Sequence, residues 1–72
     1  FTNNLLYQRL RQVRWQLARQ YHVPVFLVCH NRTLQELVEL RPTTRQALRC
    51  VYGMGPKTIE RYGDAFLEVL QS

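Results

Sequence analysis

Val51-Tyr52-Gly53-Met54-Gly55-Pro56-Lys57-Thr58-Ile59 is the stretch that decides how this chain folds. Two glycines separated by one residue make a bend. Proline directly after the second suits a helix start, because its fixed φ fits the first helical position and its missing N–H has no partner there anyway. Upstream, Ala47, Leu48 and Val51 lie on one side of a helix that Thr43 or Thr44 can cap. Downstream, Ile59, Tyr62, Phe66, Leu67 and Leu70 recur at helical spacing, with Gly63 inside the run. The stretch therefore predicts helix, turn and helix.

Working back toward the start, Leu34, Leu37, Val38 and Leu40 give the apolar face of a short helix that Pro42 stops. Asn31 and Thr33 are candidate caps, and Thr33 with Glu36 fits a capping box. Val25–Cys29 reads as a buried strand or a single helical turn; the turn is favoured, because a lone strand would have no partner. From Asn4 to about Tyr21, Leu6, Leu10, Val13, Leu17 and Tyr21 recur at spacings of four, three, four and four, which is one stripe of a long helix. Thr2, Asn3 or Asn4 can cap it, and Val23-Pro24 ends it. The expected architecture is all-α: a single domain over 1–72, with four helices and one short extra turn, cut from a longer protein. A chain this short buries only about 60% of its unfolded surface, which leaves little room for a catalytic cleft.

An apolar content of 46% and a charged content of 21% suit a globular fold rather than a disordered one. The longest apolar run, Val23–Cys29, is too short to span a membrane, and no secretory signal is visible, so a soluble intracellular module is expected. Ten Lys+Arg oppose five Asp+Glu, and nine of the ten bases are arginine. Residues 1–35 hold Arg9, Arg11, Arg14, Arg19 and Arg32 and no acid, whereas residues 36–72 balance to zero. A region of one sign attracts polyanions, nucleic acid above all; the plainer reading is a solvated basic helix kept for solubility.

Two places can bind such a partner. The Gly53–Lys57 turn resembles the helix-hairpin-helix used for non-specific DNA binding. Its glycines let a phosphate approach the backbone, the free N–H groups of the helix start carry the positive end of the dipole, and Lys57 adds a full charge. The alternative is that Gly53 and Gly55 only turn the chain between packed helices. On the first helix, Trp15 falls opposite the apolar stripe at about 100° per residue, with Arg11 and Arg19 one turn away on either side. It can stack a base, lie beneath the arginine stems, or meet a partner domain. Arg14 borders the stripe and is expected to pack its stem with its head in solvent, and Arg11, Arg14, Trp15 and Arg19 are expected to meet one stretch of strand. Arg61 is a further basic contact on the last helix. Cys29, Cys50, His22 and His30 lack the spacing of a metal site, and the cysteines read as reduced, packed thiols. No nucleophile-and-base set and no paired acids stand out, so no catalytic residue, metal or cofactor is expected in this chain.

Pro24-Val25-Phe26-Leu27-Val28-Cys29, Asn31-x-Thr33-Leu34-x-x-Leu37, Arg41-Pro42-x-Thr44 and Gly53-Met54-Gly55-x-Lys57-x-x-x-x-Tyr62-Gly63-x-x-Phe66 follow one another in order, behind Leu10-Arg11-x-x-Arg14 and Ala18. In this order they resemble an HRDC domain, the helicase and RNase D C-terminal module, over nearly the whole chain. The resemblance implies a five-helix globule in a RecQ-type DNA helicase, where it binds single-stranded or structured DNA without catalysing anything and steers the enzyme in repair and recombination. ATP and magnesium would belong to the parent helicase. It also implies localisation in the cytoplasm with the nucleoid, or in a nucleus. Phe26 fills a position where some relatives have tyrosine; it is either a stacking face or core, and core is expected. Trp15 departs from the family pattern, which often has tryptophan where this chain has Val13, and Asn31 stands where aspartate is usual. Two alternatives remain: a docking module for the helicase core or other HRDC copies, and the RNA-binding domain of an RNase D-like exoribonuclease.

Overall fold

The structure, a computed structural model, describes residues 4–71. Its elements are α1 (Asn4–Tyr21), α2 (Val25–Val28), α3 (Asn31–Leu40), α4 (Arg45–Leu48), α5 (Pro56–Thr58), a π turn (Ile59–Gly63) and α6 (Asp64–Gln71). The last three run on as one helix, since Thr58, Ile59 and Asp64 all keep right-handed helical dihedrals. No strand occurs among the described residues. The all-α expectation holds: α1, α3, α4 and the Pro56–Gln71 helix are the four helices, and α2 is the extra turn. Thr2, Asn3 and the Asn4 side chain, the candidate caps of α1, lie outside the described residues.

The α1 stripe becomes the spine of the core. Leu10 and Leu17 are buried, Leu6 and Val13 are partly so, and α1 packs against α2, α3 and α6. Phe66, Leu34, Leu37 and Leu48 complete a centre with no solvent contact. Tyr21, at the end of the stripe, is half out; its ring meets Tyr62 edge-on at 5.1 Å between centroids. Leu40, expected on the apolar face of α3, is exposed because it is the last residue before the chain turns away. The radius of gyration is 10.9 Å, close to the roughly 11 Å of a packed chain of this length.

The helix ends show the local chemistry at work. α1 stops in a Schellman arrangement: His22 takes a left-handed φ of 57°, its N–H donates to the Arg19 carbonyl, and the Val23 N–H donates to the Ala18 carbonyl. Arg41 ends α3 with a φ of 46°, just ahead of Pro42. Thr44 caps α4, its hydroxyl accepting the Ala47 N–H at 3.1 Å. The Thr33–Glu36 capping box is not formed. α3 starts two residues before Thr33, so both side chains are free to reach across to Tyr52: Thr33 Oγ1 donates to its carbonyl at 2.8 Å, and Glu36 Oε1 accepts its N–H at 2.9 Å. These two bonds fasten the loop before the glycine turn onto α3.

Of the two free cysteines, Cys29 is buried and Cys50 is exposed. Burial pushes the Cys29 thiol up to about 11, against a smaller opposing pull from Arg14. The thiolate is the reactive form, so iodoacetamide at about pH 8 should alkylate Cys50 and leave Cys29 intact until urea is added. Mass mapping that finds both labelled at equal rates in the folded protein would contradict this placement.

Candidate nucleic-acid interface

On α1, Leu10 and Leu17 turn inward, which leaves Trp15 on the opposite side, 51% exposed. The Arg19 guanidinium lies over the indole at 4.9 Å from the ring centroid. Trp15 forms the ridge between two shallow grooves. One is walled by Arg19, His22, Pro24 and Val25, the other by Gln8, Arg11 and Gln12. Arg11 and Arg19 thus flank the indole as the helical spacing predicts, and no carboxylate lines either groove.

Arg14 requires a correction. Its head is turned inward rather than into solvent: the residue is 9% exposed, and Nη1 donates to the Cys29 carbonyl at 3.3 Å and to Asn31 Oδ1 at 2.9 Å. Its Nε is buried with no partner. The side chain crosses from α1 to the α2–α3 junction and holds the two together, so little of it faces outward. Phe26 is the opposite case. Expected in the core, it is 58% exposed beside Leu27 at 59%, because α2 is a single turn that buries only Val28. Since Val25 also walls the Trp15 groove, an apolar surface continues from the indole onto α2.

At the second place, the two glycines separate in role. Gly53 has a φ of +78°, and a Cβ there would stand 2.8 Å from Thr33 Oγ1, so the turn itself requires glycine. Gly55 has ordinary extended dihedrals and open space where a Cβ would be. Its backbone is therefore approachable, with Lys57 exposed just beyond it. A groove lined by Arg45, Arg49 and Pro56 runs beside the turn. Arg45 is already engaged, its Nη2 donating to Asp64 Oδ2 at 2.6 Å; this bond holds the Asp64 carboxyl below its usual range. Arg49 has no such partner among the described residues. Arg61 is exposed, and its carbonyl accepts a long bond of 3.5 Å from the Tyr21 hydroxyl, which ties its segment to the end of α1. The Gly53–Gly55 turn, by contrast, is tied to α3.

Sequence reading missed Tyr52, which is 45% exposed with the Arg32 guanidinium 4.3 Å over its ring. The two are twenty residues apart, so no local spacing announces the pair. Among the described residues no three His, Cys, Asp or Glu side chains converge to hold a metal ion, and no helix is long and apolar enough to cross a membrane.

Residues 3–70 match the HRDC domain. The chain is 33% identical over 66 residues to the ATP-dependent DNA helicase RecQ of Pasteurella multocida, covering 92% of this chain and 10% of that one. It is 34% identical over 70 residues to the RecQ helicase of Bacillus subtilis, covering 97% and 12%. It is also 32% identical over 63 residues to the ATP-dependent DNA helicase UvrD2 of Mycobacterium bovis, covering 88% and 9%. The chain thus spans about a tenth of the length of these helicases. With one family covering all but the ends of the chain, and with a helical core that places each of its motifs, the chain belongs to the HRDC domain family.

Proposed function

We propose that this HRDC domain is an auxiliary, non-catalytic module of a RecQ-like DNA helicase, binding single-stranded or structured DNA weakly and without sequence preference. ATP and magnesium would serve the motor of the parent enzyme, not this domain. The observation that carries the reading is Trp15: a half-exposed indole under an arginine, between two grooves free of carboxylates, on the half of the chain that has no acid. Stacking on such a ring tolerates any base, and the flanking Arg11 and Arg19 supply phosphate contacts. Phe26 adds a second stacking face on α2. Gly55 and Lys57 at the glycine turn, Arg49 beside it and Arg61 on the last helix offer further contacts for a polyanion.

Titrating a fluorescent oligonucleotide tests this. Trp15→Ala should weaken binding roughly five- to tenfold, the lower part of the range for losing one stacked base. About four phosphate contacts predict a log–log salt slope near −3 on single strands, and Lys57→Glu should flatten it by about 0.7 or more. Affinity that ignores salt would sink the proposal.

A second reading has its own support. Phe26, Leu27 and Trp15 together expose more large apolar surface than a solvated domain needs, which suits docking on the helicase core or another HRDC copy. If Leu27→Asp abolishes co-elution with the core and leaves strand affinity unchanged, docking is the function of that surface. Relatives that are DNA helicases favour DNA over the RNA of the exoribonuclease alternative.

A further inference from the structure

Tyr52 stands at a place the reading above does not use. Its ring is 45% exposed and adds nothing to the core, yet its backbone is held at both ends. The N–H donates to Glu36 Oε1 at 2.9 Å, and the carbonyl accepts from Thr33 Oγ1 at 2.8 Å. The next residue, Gly53, is fixed by its left-handed φ. The same Glu36 carboxylate accepts from Arg32 Nε through Oε2 at 3.3 Å, which helps to set the guanidinium over the Tyr52 ring at 4.3 Å. One acid therefore aims both the ring and the cation. Arg32 keeps 66% of its side chain in solvent, and its Nη groups make no hydrogen bond among the described residues. The His30 ring flanks the pair at 6.4 Å, tilted by 49°.

We propose that Tyr52 and Arg32 form a second stacking platform for single-stranded nucleic acid, separate from Trp15 and Arg19. The inference rests on the reading of the domain as a strand binder and deepens it by adding a site. A fixed aromatic ring topped by an arginine offers a flat π surface and outward donors together, and a nucleotide presents the matching base and phosphate. Bases stack on guanidinium planes as well as on rings, so a base can extend the stack over Arg32 or slide onto Tyr52 itself. Arg32 and His30, the side chains gathered around the ring, are cationic or polar, whereas the neighbours Val25, Phe26 and Leu27 that share α2 are exposed and apolar. That distribution favours a strand over an apolar protein face. Because the ring and not the hydroxyl makes the platform, phenylalanine should replace tyrosine without loss.

The test is a titration of labelled oligothymidylate, about ten to fifteen nucleotides long, at low salt with the wild-type chain, Tyr52→Ala, Tyr52→Phe and Trp15→Ala. Both Tyr52 changes are at an exposed ring and keep the main-chain bonds, and far-ultraviolet ellipticity verifies folding. Expected is a loss of about fivefold for Tyr52→Ala and less than twofold for Tyr52→Phe. Photocrosslinking of a bromouracil strand should in addition label the Tyr52 peptide. Wild-type affinity in Tyr52→Ala, with Trp15→Ala weakened, would overturn the second platform and leave the strand-binding reading standing. Absence of binding by the wild-type chain would remove that reading and this site with it. Retained strand affinity with lost co-elution with the helicase core would reassign Tyr52 to a protein contact and overturn the proposal.

Discussion

Gly53→Ala is expected to destabilise the domain by about 2–3 kcal/mol and to lower its melting temperature by roughly 8–24 °C. Two costs add. A left-handed φ of +78° on a residue with a Cβ costs about 1–2 kcal/mol. The Cβ would also sit 2.8 Å from Thr33 Oγ1, a fully buried atom of α3 that cannot swing away without breaking its 2.8 Å bond to the Tyr52 carbonyl. Losing that bond adds about 1 kcal/mol. Gly55→Ala is the matched control, because its dihedrals are ordinary and its Cβ would meet nothing. It should melt within about 0.5 kcal/mol of wild type, with a small gain from the stiffer unfolded chain. The pair also divides structure from function. If a phosphate rests on the Gly55 backbone, Gly55→Ala keeps the fold and loses strand affinity. Thermal melts followed by circular dichroism decide the first point; equal melting temperatures for the two variants would show that the turn is not built as described.

The Gly53–Gly55 turn also shows which parts of this molecule were open to sequence reading. Two glycines and a proline gave away the bend and the helix after it, because both act on φ within a residue or two. The α1 stripe and the exposure of Trp15 followed from the same kind of local rule, the angular period of a helix. Wherever the decisive partner lay far along the chain, local rules failed. Thr33 and Glu36 have the spacing of a capping box, but Tyr52 offered them a main-chain N–H and carbonyl that only the folded chain brings near. Phe26 looked like core because it is apolar, yet a one-turn helix has a single inward position, and Val28 takes it. The π turn at Ile59–Gly63 leaves the apolar spacing of its neighbours at three and four residues, so no periodicity reveals it. Arg41 takes a left-handed φ of 46° although arginine is not among the residue types enriched there, so nothing local announces it. For the candidate site, charge and aromatic exposure were legible on α1, while the pairing of Arg32 with Tyr52 was not.

Arg14 supplies the other large effect. Arg14→Ala should cost about 3 kcal/mol, since it removes hydrogen bonds from a charged donor, each worth about 1.5–3 kcal/mol, and strands the buried Cys29 carbonyl. What makes the site unusual is the absence of an opposing charge. The guanidinium is buried against a carbonyl and a neutral amide, its Nε is unpartnered, and neither salt bridge among the described residues includes it. Buried charges are normally paired. Asn31→Asp would place a carboxylate 2.9 Å from Nη1, and at the first residue of α3, where a negative charge also meets the helix dipole. The expected gain is about 1–2 kcal/mol at neutral pH. Its sign with pH follows from linkage. Arg14 depresses the new carboxyl in the folded state, so the gain is fully present above the unfolded value of about 4 and disappears as pH falls through the folded one. Melts of wild type and Asn31→Asp should therefore diverge at neutral pH and converge in acid. In an Arg14→Met background, the aspartate has no cation to meet, and the gain should shrink to the few tenths of a kcal/mol of the dipole alone. A full gain that survives Arg14→Met would mean that the guanidinium does not reach position 31, and the strut from α1 to the α2–α3 junction would have to be abandoned.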